Sequence, residues 1–499
     1  MSDWGGGYVT DIPYTTGWYR QQSPAMIALA SIIGGASARI PAADDRIMLL
    51  ELGCGFGYSA MALAASNPNW SVTAVDFNPA HIAAAREWAA EAGLTNITFI
   101  EGDFSSWEDN PALRDLPEMD FVTLHGVWSW IPPAARAGLV RLFGQKVRPG
   151  GLVHLSYNTL PGWQERMGAA RVIREAGLRA SGRSDSQARE GMRVLKELVA
   201  TKALFTASGT SVSAMVERLE SVNPHYLAHE FMNTHWSPCY AMDVAADLSE
   251  AKLEWAGSGN LTENFAELMM TEEQREIANR YSDPMMRELI KDMCIPRSLR
   301  HDVFVRGARR ISLAQRAEAL MDVTLTLVRP ADDLPEAMTM PAGRAELNPD
   351  FYRPIVKSLA ARPGRVGDLL SQPDVSGRRD NPAELISILI NAEMVEPTSR
   401  PLTEPGPEAM RFNAVAARRL AFVEAPNRPV AAACRPTGTP VLTQLLTMVV
   451  MGFMREGLTD VDSLVRAMNT PQDQEAAARS SIEACLDHFI PALKHAGVF

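Results

Sequence analysis

The sequence predicts an α/β fold: a doubly wound, Rossmann-like sheet of seven strands with a helical insertion, plus a C-terminal winged-helix-like and helical region. Three observations carry this reading. Between Arg46 and Tyr157 short apolar runs alternate with helical patterns, as a parallel sheet covered on both faces requires. The next strand-like segments, Ala251–Gly257 and Asp302–Arg306, follow only after a long helical stretch. Three helical patterns and an extended tail then lie beyond residue 345.

Taken in order, Arg46–Leu52 (RIMLLEL) is a strand that ends in glycines, and Tyr58–Ala65 is the helix after the turn. Strand Ser71–Asp76, helix Pro79–Ala92, strand Ile97–Glu101, strand Asp120–His125, helix Pro133–Lys146 and strand Gly151–Tyr157 continue the alternation. Pro79 and Pro133 suit first helical turns, and Gly93 suits a C-terminal cap. The expected division is a core over 1–161, an insertion over 162–246, completion of the sheet over 247–310, and a linker over 311–345. A winged-helix-like domain over 346–425 and a helical region over 426–499 complete it. Within the insertion Ser181–Glu190 reads as a polar, mobile connection. Within the C-terminal half Thr324–Met340 reads as a connection and Met394–Phe412 as a hairpin.

At 499 residues the chain exceeds one hydrophobic core. Its net charge of -11 repels phosphate backbones and anionic lipid, which argues against nucleic acid as a partner. The five cysteines are scattered without a CxxC pair, so disulfides and zinc are not expected and the location is read as cytoplasmic. Met1–Thr10 lacks the basic and apolar stretches of a signal peptide. The most apolar run, Leu442–Met454, is shorter than the roughly 20 residues a membrane span needs.

In a doubly wound sheet the ligand sits outside the carboxyl ends of the strands, so residues there are the informative ones. After the first strand, Glu51-Leu52-Gly53-Cys54-Gly55-Phe56-Gly57 offers a bare backbone turn at a helix N-terminus. The spacing is GxGxG followed by Tyr58, which lacks the third glycine of a dinucleotide loop. Asp76, with Phe77 beside it, suits two ribose hydroxyls after the second strand. Asp103-Phe104 suits an adenine amino group and ring face after the third, and Pro149-Gly150-Gly151 breaks the chain before the fifth. In this order the signals fit a class I methyltransferase using S-adenosylmethionine. The expected cofactor contacts are Glu51, Gly53, Cys54, Gly55, Gly57, Asp76, Phe77, Asp103, Phe104 and His125.

Methyl transfer mainly requires that donor and acceptor be held in line. The candidates near the fourth and fifth strand ends are His125, Trp128, Trp130, Tyr157, Asn158 and Trp163. His125 is read either as a general base or as a satisfied structural residue. Trp128 and Trp130 either flank the methyl acceptor or form a hydrophobic lid. His225, His229 and Glu230 invite a metal reading, but no HExxH or comparable ligand spacing accompanies them, and no metal is expected. A polar and aromatic substrate wall containing Tyr226, His229 and Trp236 is expected instead.

The segments Ser156-Tyr157-Asn158-Thr159-Leu160-Pro161-Gly162-Trp163, Asn223-Pro224-His225-Tyr226, His229-Glu230-Phe231 and Arg300–Gly307 (RHDVFVRG) resemble bacterial methyltransferases carrying a methyltransferase regulatory domain. The resemblance extends to protein-lysine methyltransferases acting on outer-membrane proteins. It implies a seven-stranded methyltransferase sheet, a protein substrate and N-methylation of lysine side chains. It also implies that the N-terminal aromatic segment Tyr8–Ser23, with Tyr8, Tyr14, Trp18 and Tyr19, closes over the cofactor and forms the amine channel; the alternative is a simple hydrophobic clasp. The alternatives are a small-molecule or peptide natural-product methyltransferase and a non-catalytic cofactor-binding adaptor. In the winged-helix-like region the would-be recognition helix Asn381–Glu393 (NPAELISILINAE) is apolar and acidic, which favours contact with protein over DNA. The helical end, Thr437–Phe499, is suited to packing or homodimerisation.

Overall fold

A computed structural model describes residues 5–12, 16–207, 210–220, 222–377, 380–400, 405–469 and 473–499. Seven strands build the main sheet: β1 (Met48–Leu52), β2 (Ser71–Asp76), β3 (Ile97–Glu101), β4 (Met119–Leu124), β5 (Val147–Asn158), β6 (Leu253–Ser258) and β7 (Leu299–Arg306). Their order is β3-β2-β1-β4-β5-β7-β6. The first five run parallel, and β7 lies antiparallel between β5 and β6. The chain crosses from one half of the sheet to the other between β1 and β4, which opens a crevice at their carboxyl ends. Leu52 is paired there with Val75 on one side and Leu124 on the other.

The expected break at Pro149-Gly150-Gly151 lies inside β5. The strand starts at Val147, and the β4–β5 register slips between Met119 and Phe121. Gly150 takes φ +77°, so the glycines accommodate a bulge without ending the strand.

The insertion is helical: Met167–Gly177, Ser184–Ala200, Thr210–Glu220 and Pro224–Phe231 share a small core containing Ile173, Leu195, Met215 and Phe231. Val9 and Ile12 of the N-terminal segment belong to that core. The polar stretch expected as a mobile connection enters the second of these helices instead. Its Ala188 is buried, and Asp185 in the first turn is buried under the exposed Arg183 and Arg189 that pair with it, so polar composition marks a helix start and its arginine-bearing face here.

The C-terminal half departs further from expectation. Residues Thr324–Leu327, expected as a connection, form β8, the central strand of a small sheet with β11 (Gly364–Arg365) and β12 (Val395–Pro397). A hairpin of β9 (Ala337–Met340) and β10 (Gly343–Glu346) lies in the expected linker. The expected hairpin Met394–Phe412 does not form: β12 pairs with β8, and Pro407–Ala421 is a helix. The expected wing is therefore supplied from upstream in the chain. Within Thr437–Phe499, β14 (Val441–Gln444) pairs with β13 (Pro429–Ala432) before the helices begin.

One hydrophobic cluster runs from the helix Pro24–Ile33 beneath the sheet to Val498, and a second fills the opposite face around Trp107, Leu139 and Phe304. The C-terminal half is thus fused to the first face of the sheet. Tyr58 Oη marks the join, donating to the Ala431 carbonyl at 2.7 Å and accepting its N–H at 3.0 Å. Among the described residues no helix is long and apolar enough to cross a membrane.

Candidate active site

The glycine loop after β1 is built on left-handed backbone. Gly53 has φ +70°, and a Cβ there would stand 2.3 Å from Val127. At Gly55, with φ +54°, a Cβ would meet no protein atom, so this residue presents bare backbone to the crevice. Asp76 ties the loop down: Oδ2 accepts Gly55 N–H at 2.8 Å, and Oδ1 accepts Asn78 N–H at 2.9 Å beside His81 Nδ1 at 3.3 Å.

Two cavities meet at Gly53, Gly55 and His125. The front lobe, about 220 Å³, is lined by Tyr8, Asp76, Phe77, Asp103, Phe104 and Trp130, with His81 and Val127. The back lobe, about 80 Å³, is lined by Gly17, Tyr19, Gln22, Glu51, Cys54 and Ser59. Asp103 Oδ1 caps the turn that follows it by accepting Ser105 N–H at 2.8 Å. Glu51 is buried and its Oε2 has no partner; burial and the nearby Asp76 push its carboxyl up to about 8. The Cys54 thiol is pushed up by the same burial and the same two acids, so it is held as the neutral thiol.

His125 stands at the junction with Tyr19 stacked on it, ring centroids 3.7 Å apart. Its Nδ1 lies 2.9 Å from Ser156 Oγ, which also accepts Gly126 N–H at 2.8 Å. The arrangement that leaves no buried donor idle has Ser156 donating to Nδ1, which puts the ring proton on Nε2. Burial and the neighbouring His301 and His154 hold His125 well below the usual histidine range, so the ring is neutral. Behind it His154 Nε2 and His301 Nδ1 are 3.2 Å apart, with His301 pushed down to about 4 by burial.

An aromatic wall runs from the front lobe into the insertion. Trp130 stacks on Trp236 at 6.1 Å, and Trp236 meets Trp163 edge-on at 5.0 Å. Tyr8 bridges the two regions, contacting Phe77 at 5.8 Å and His229 at 5.6 Å. Beside His229, Glu230 accepts a hydrogen bond from Tyr226, and burial pushes its carboxyl up to about 7 against the pull of Arg218 and Arg166. Burial raises the phenols of Tyr8, Tyr19 and Tyr226, and the charge of Glu230 adds to it, after that of Asp76 for Tyr8.

Some sequence candidates do not reach this place. Tyr157 is buried behind β5, where its hydroxyl donates to Asp302 Oδ2 at 2.5 Å inside an ion network with Arg300. Strand alternation is the reason: Ser156 faces His125 and Tyr157 faces away. Trp128 is fully buried in the second hydrophobic cluster with Arg136 over its ring, so it packs the sheet and lines neither lobe. Asn158 holds the chain through its backbone, to Ser129 Oγ at 2.8 Å and Cys239 N–H at 2.9 Å. Gly57 shapes the turn into the next helix with φ +72° and lines neither lobe. Tyr14 lies outside the described residues. From the sequence, Tyr19 is only one aromatic of the N-terminal segment, and Glu230 appears only in a metal reading and in the resembling segment His229-Glu230-Phe231. It misses Ser156 in its pairing with His125. Among the described residues no group of acidic, His or Cys side chains is placed to hold a metal ion.

Comparison with known proteins agrees with this geometry. Residues 49–151 match the methyltransferase domain family, and residues 223–306 match the predicted methyltransferase regulatory domain family. An uncharacterised Synechocystis protein is 33% identical over 374 residues, covering 75% of this chain and 73% of the relative. The chain belongs to the class I S-adenosylmethionine-dependent methyltransferases with a regulatory domain. PKMT2 from Rickettsia typhi in complex with AdoHcy has the same fold, with a TM-score of 0.69 at 13% identity over 98% of this chain and 100% of that one. A trans-aconitate 2-methyltransferase of Methylobacterium radiotolerans is 33% identical over 116 residues, 23% of this chain and 39% of the relative.

The residues present fit S-adenosylmethionine. Glu51 Oε2 is a buried acceptor without a donor, as a site for the ligand's α-ammonium would provide, and Gly55 leaves its side of the crevice bare. The regulatory family match contains β6, β7 and the helix Pro284–Cys294, so it completes the catalytic sheet itself. That helix is fastened to β7 by Arg300, which pairs with Glu288, Asp292 and Asp302 at 2.7–2.8 Å.

Proposed function

We propose that this methyltransferase transfers methyl groups to lysine side chains of a protein substrate, including proteins of the outer membrane. The observation that carries the reading is Glu230, a buried acid that accepts a hydrogen bond from Tyr226 and acts electrostatically on Tyr8 and Tyr19, the two tyrosines that line the front and back lobes. A buried acid held by a phenol attracts an ammonium and repels a carboxylate substrate. The resemblance of the Ser156–Trp163 and Arg300–Gly307 segments to protein-lysine methyltransferases supports the same acceptor.

In this reading Glu51 takes the α-ammonium of the cofactor, Asp76 the ribose hydroxyls, and Asp103 the adenine amino group with Phe77 and Phe104 about the ring. When bound, the cofactor supplies a methyl group on a sulfonium. The chain's part is to present the nucleophile in line with it. An amine attacks only after losing its proton, and the aromatic wall of Trp130, Trp236 and Trp163 favours the neutral amine by excluding water. Glu230, held up to about 7, is suited to receive that proton as well as the incoming charge. His125, neutral and held at Nδ1 by Ser156, walls the junction of the two lobes in this reading and is not the base.

The test is transfer of label from methyl-labelled S-adenosylmethionine to polylysine and to an outer-membrane-protein fraction, followed by acid hydrolysis. Label in methyl-lysines is expected. Label that is released by mild base, as from methyl esters, or that stays in small molecules would overturn the reading.

A further inference from the structure

The segment Thr16–Ser23 crosses the back lobe, and the C-terminal half holds it at three points. Arg428 donates to the Thr16 carbonyl, and Ser23 Oγ meets Thr439 Oγ1 at 2.7 Å. Between them Arg20 forms an ion pair with Glu396 at 2.8 Å and donates to the Ile390 carbonyl. Glu396 is the middle residue of β12 and is 1% exposed, so this pair is internal to the protein. On the sheet side Ser59 Oγ donates to the Gly17 carbonyl at 3.1 Å, and Gln21 Nε2 donates to Asn260 Oδ1 at 2.7 Å.

Tyr19 sits next to Arg20 in the sequence and carries its ring onto His125. Its side is 40% exposed, so packing on its outer face does not fix it; the clamped backbone does. On the far side of Tyr19 is another cavity, about 230 Å³, bounded also by Arg20, Asn260, Asn391, Glu393 and Ser387. Ser387 Oγ is buried there without a partner. Tyr19 is therefore a wall between two spaces, and a released segment would let it leave His125 for the second one.

We propose that Arg20 is a positioning residue: its ion pair with Glu396 keeps Tyr19 on His125, so the small C-terminal sheet sets the back wall of the active site. A planar guanidinium held by a carboxylate and a carbonyl is a rigid anchor, which lysine replaces only in part.

The experiment reads the Hε1 signal of His125 in full-length protein with labelled histidine, assigned by loss in His125→Gln. A ring stacked at this distance shifts the signal upfield. Tyr19→Leu removes the shift, and Arg20→Ala removes it to the same extent, while Arg20→Lys keeps part of it and the surface control Arg39→Ala keeps all of it. Methyl transfer to polylysine falls about tenfold in Arg20→Ala, and the double variant Tyr19→Leu/Arg20→Ala is no slower than Tyr19→Leu alone. If Arg20→Ala does not fold, Glu396→Gln takes its place in both measurements. The proposal is overturned if the shift survives loss of the pair, or if the two substitutions multiply in their effect on transfer.

Discussion

Glu51 links cofactor affinity to pH in a direction that can be worked out. Its carboxyl stands at about 8 where an ordinary glutamate stands at 4.5. Near neutral pH it is therefore mostly protonated in the empty site, and it must ionise to hold an α-ammonium. Ionisation costs about 1.4 kcal/mol one pH unit below its pKa and ~2.7 kcal/mol two units below it. Affinity for S-adenosylhomocysteine is expected to fall about tenfold for each unit of pH below 8 and to level off above it. Calorimetry in buffers of different ionisation enthalpy would read the accompanying release of nearly one proton at the acid end. Glu51→Gln should flatten the dependence and weaken binding at high pH by ~1.5–3 kcal/mol, the worth of a hydrogen bond to a charged group. The sign reverses for stability: between 4.5 and 8 the unfolded chain is ionised and the native one is not, so stability drops as pH rises. The empty Glu51→Gln protein should thus be more stable than the parent at neutral pH, by up to ~3 kcal/mol. A wild-type affinity that does not change between about pH 6 and 8, or an equal slope in Glu51→Gln, would refute the reasoning.

Other expectations follow from single contacts. Arg300→Ala leaves the buried Asp302 without its ion-pair partner, while Glu288 keeps Lys291 and Asp292 keeps Arg297, and should cost ~3–5 kcal/mol in denaturant titration. Asp302, held down to about 2 chiefly by Arg300, contributes ~2 kcal/mol that is present above its ordinary 3.8 and disappears as pH falls through 2, visible in acid unfolding. Tyr58→Phe strands the Ala431 N–H and carbonyl and should lower stability by ~1–3 kcal/mol, read from the same titration. For Glu230, the KM of a lysine acceptor should drop as pH rises through about 7, and Glu230→Gln should raise KM and remove that inflection while leaving cofactor affinity unchanged.

The parallel half of the sheet was readable because each strand is an apolar run closed by glycine, proline or an acid, as at Leu52-Gly53 and Asp76. Strand β8 was not, although Asp322 and Pro330 flank its apolar run: no neighbouring strand-and-helix alternation frames it, and its partners come from far along the chain. Site residues followed the same division. Glu51, Asp76 and Asp103 stand at strand ends, where position alone says which way they face. Tyr157 was misread because an error of one residue in a strand changes the face, and Ser156 took the place expected for it. Tyr19 and Glu230 reach the site from a loop and a helix that no periodicity ties to the crevice.

The pairing of β5 with β7 also bears on how the protein is made. Residues Val147–Asn158 find their partner only at Leu299–Arg306. At the usual speed of synthesis the ribosome needs on the order of ten seconds to deliver that partner. Until then β5 is an open edge of a nearly complete sheet, able to pair with any extended chain nearby. A nascent chain of this protein therefore passes through a period in which chaperone shielding matters most, and a chain ended before Leu299 never leaves it.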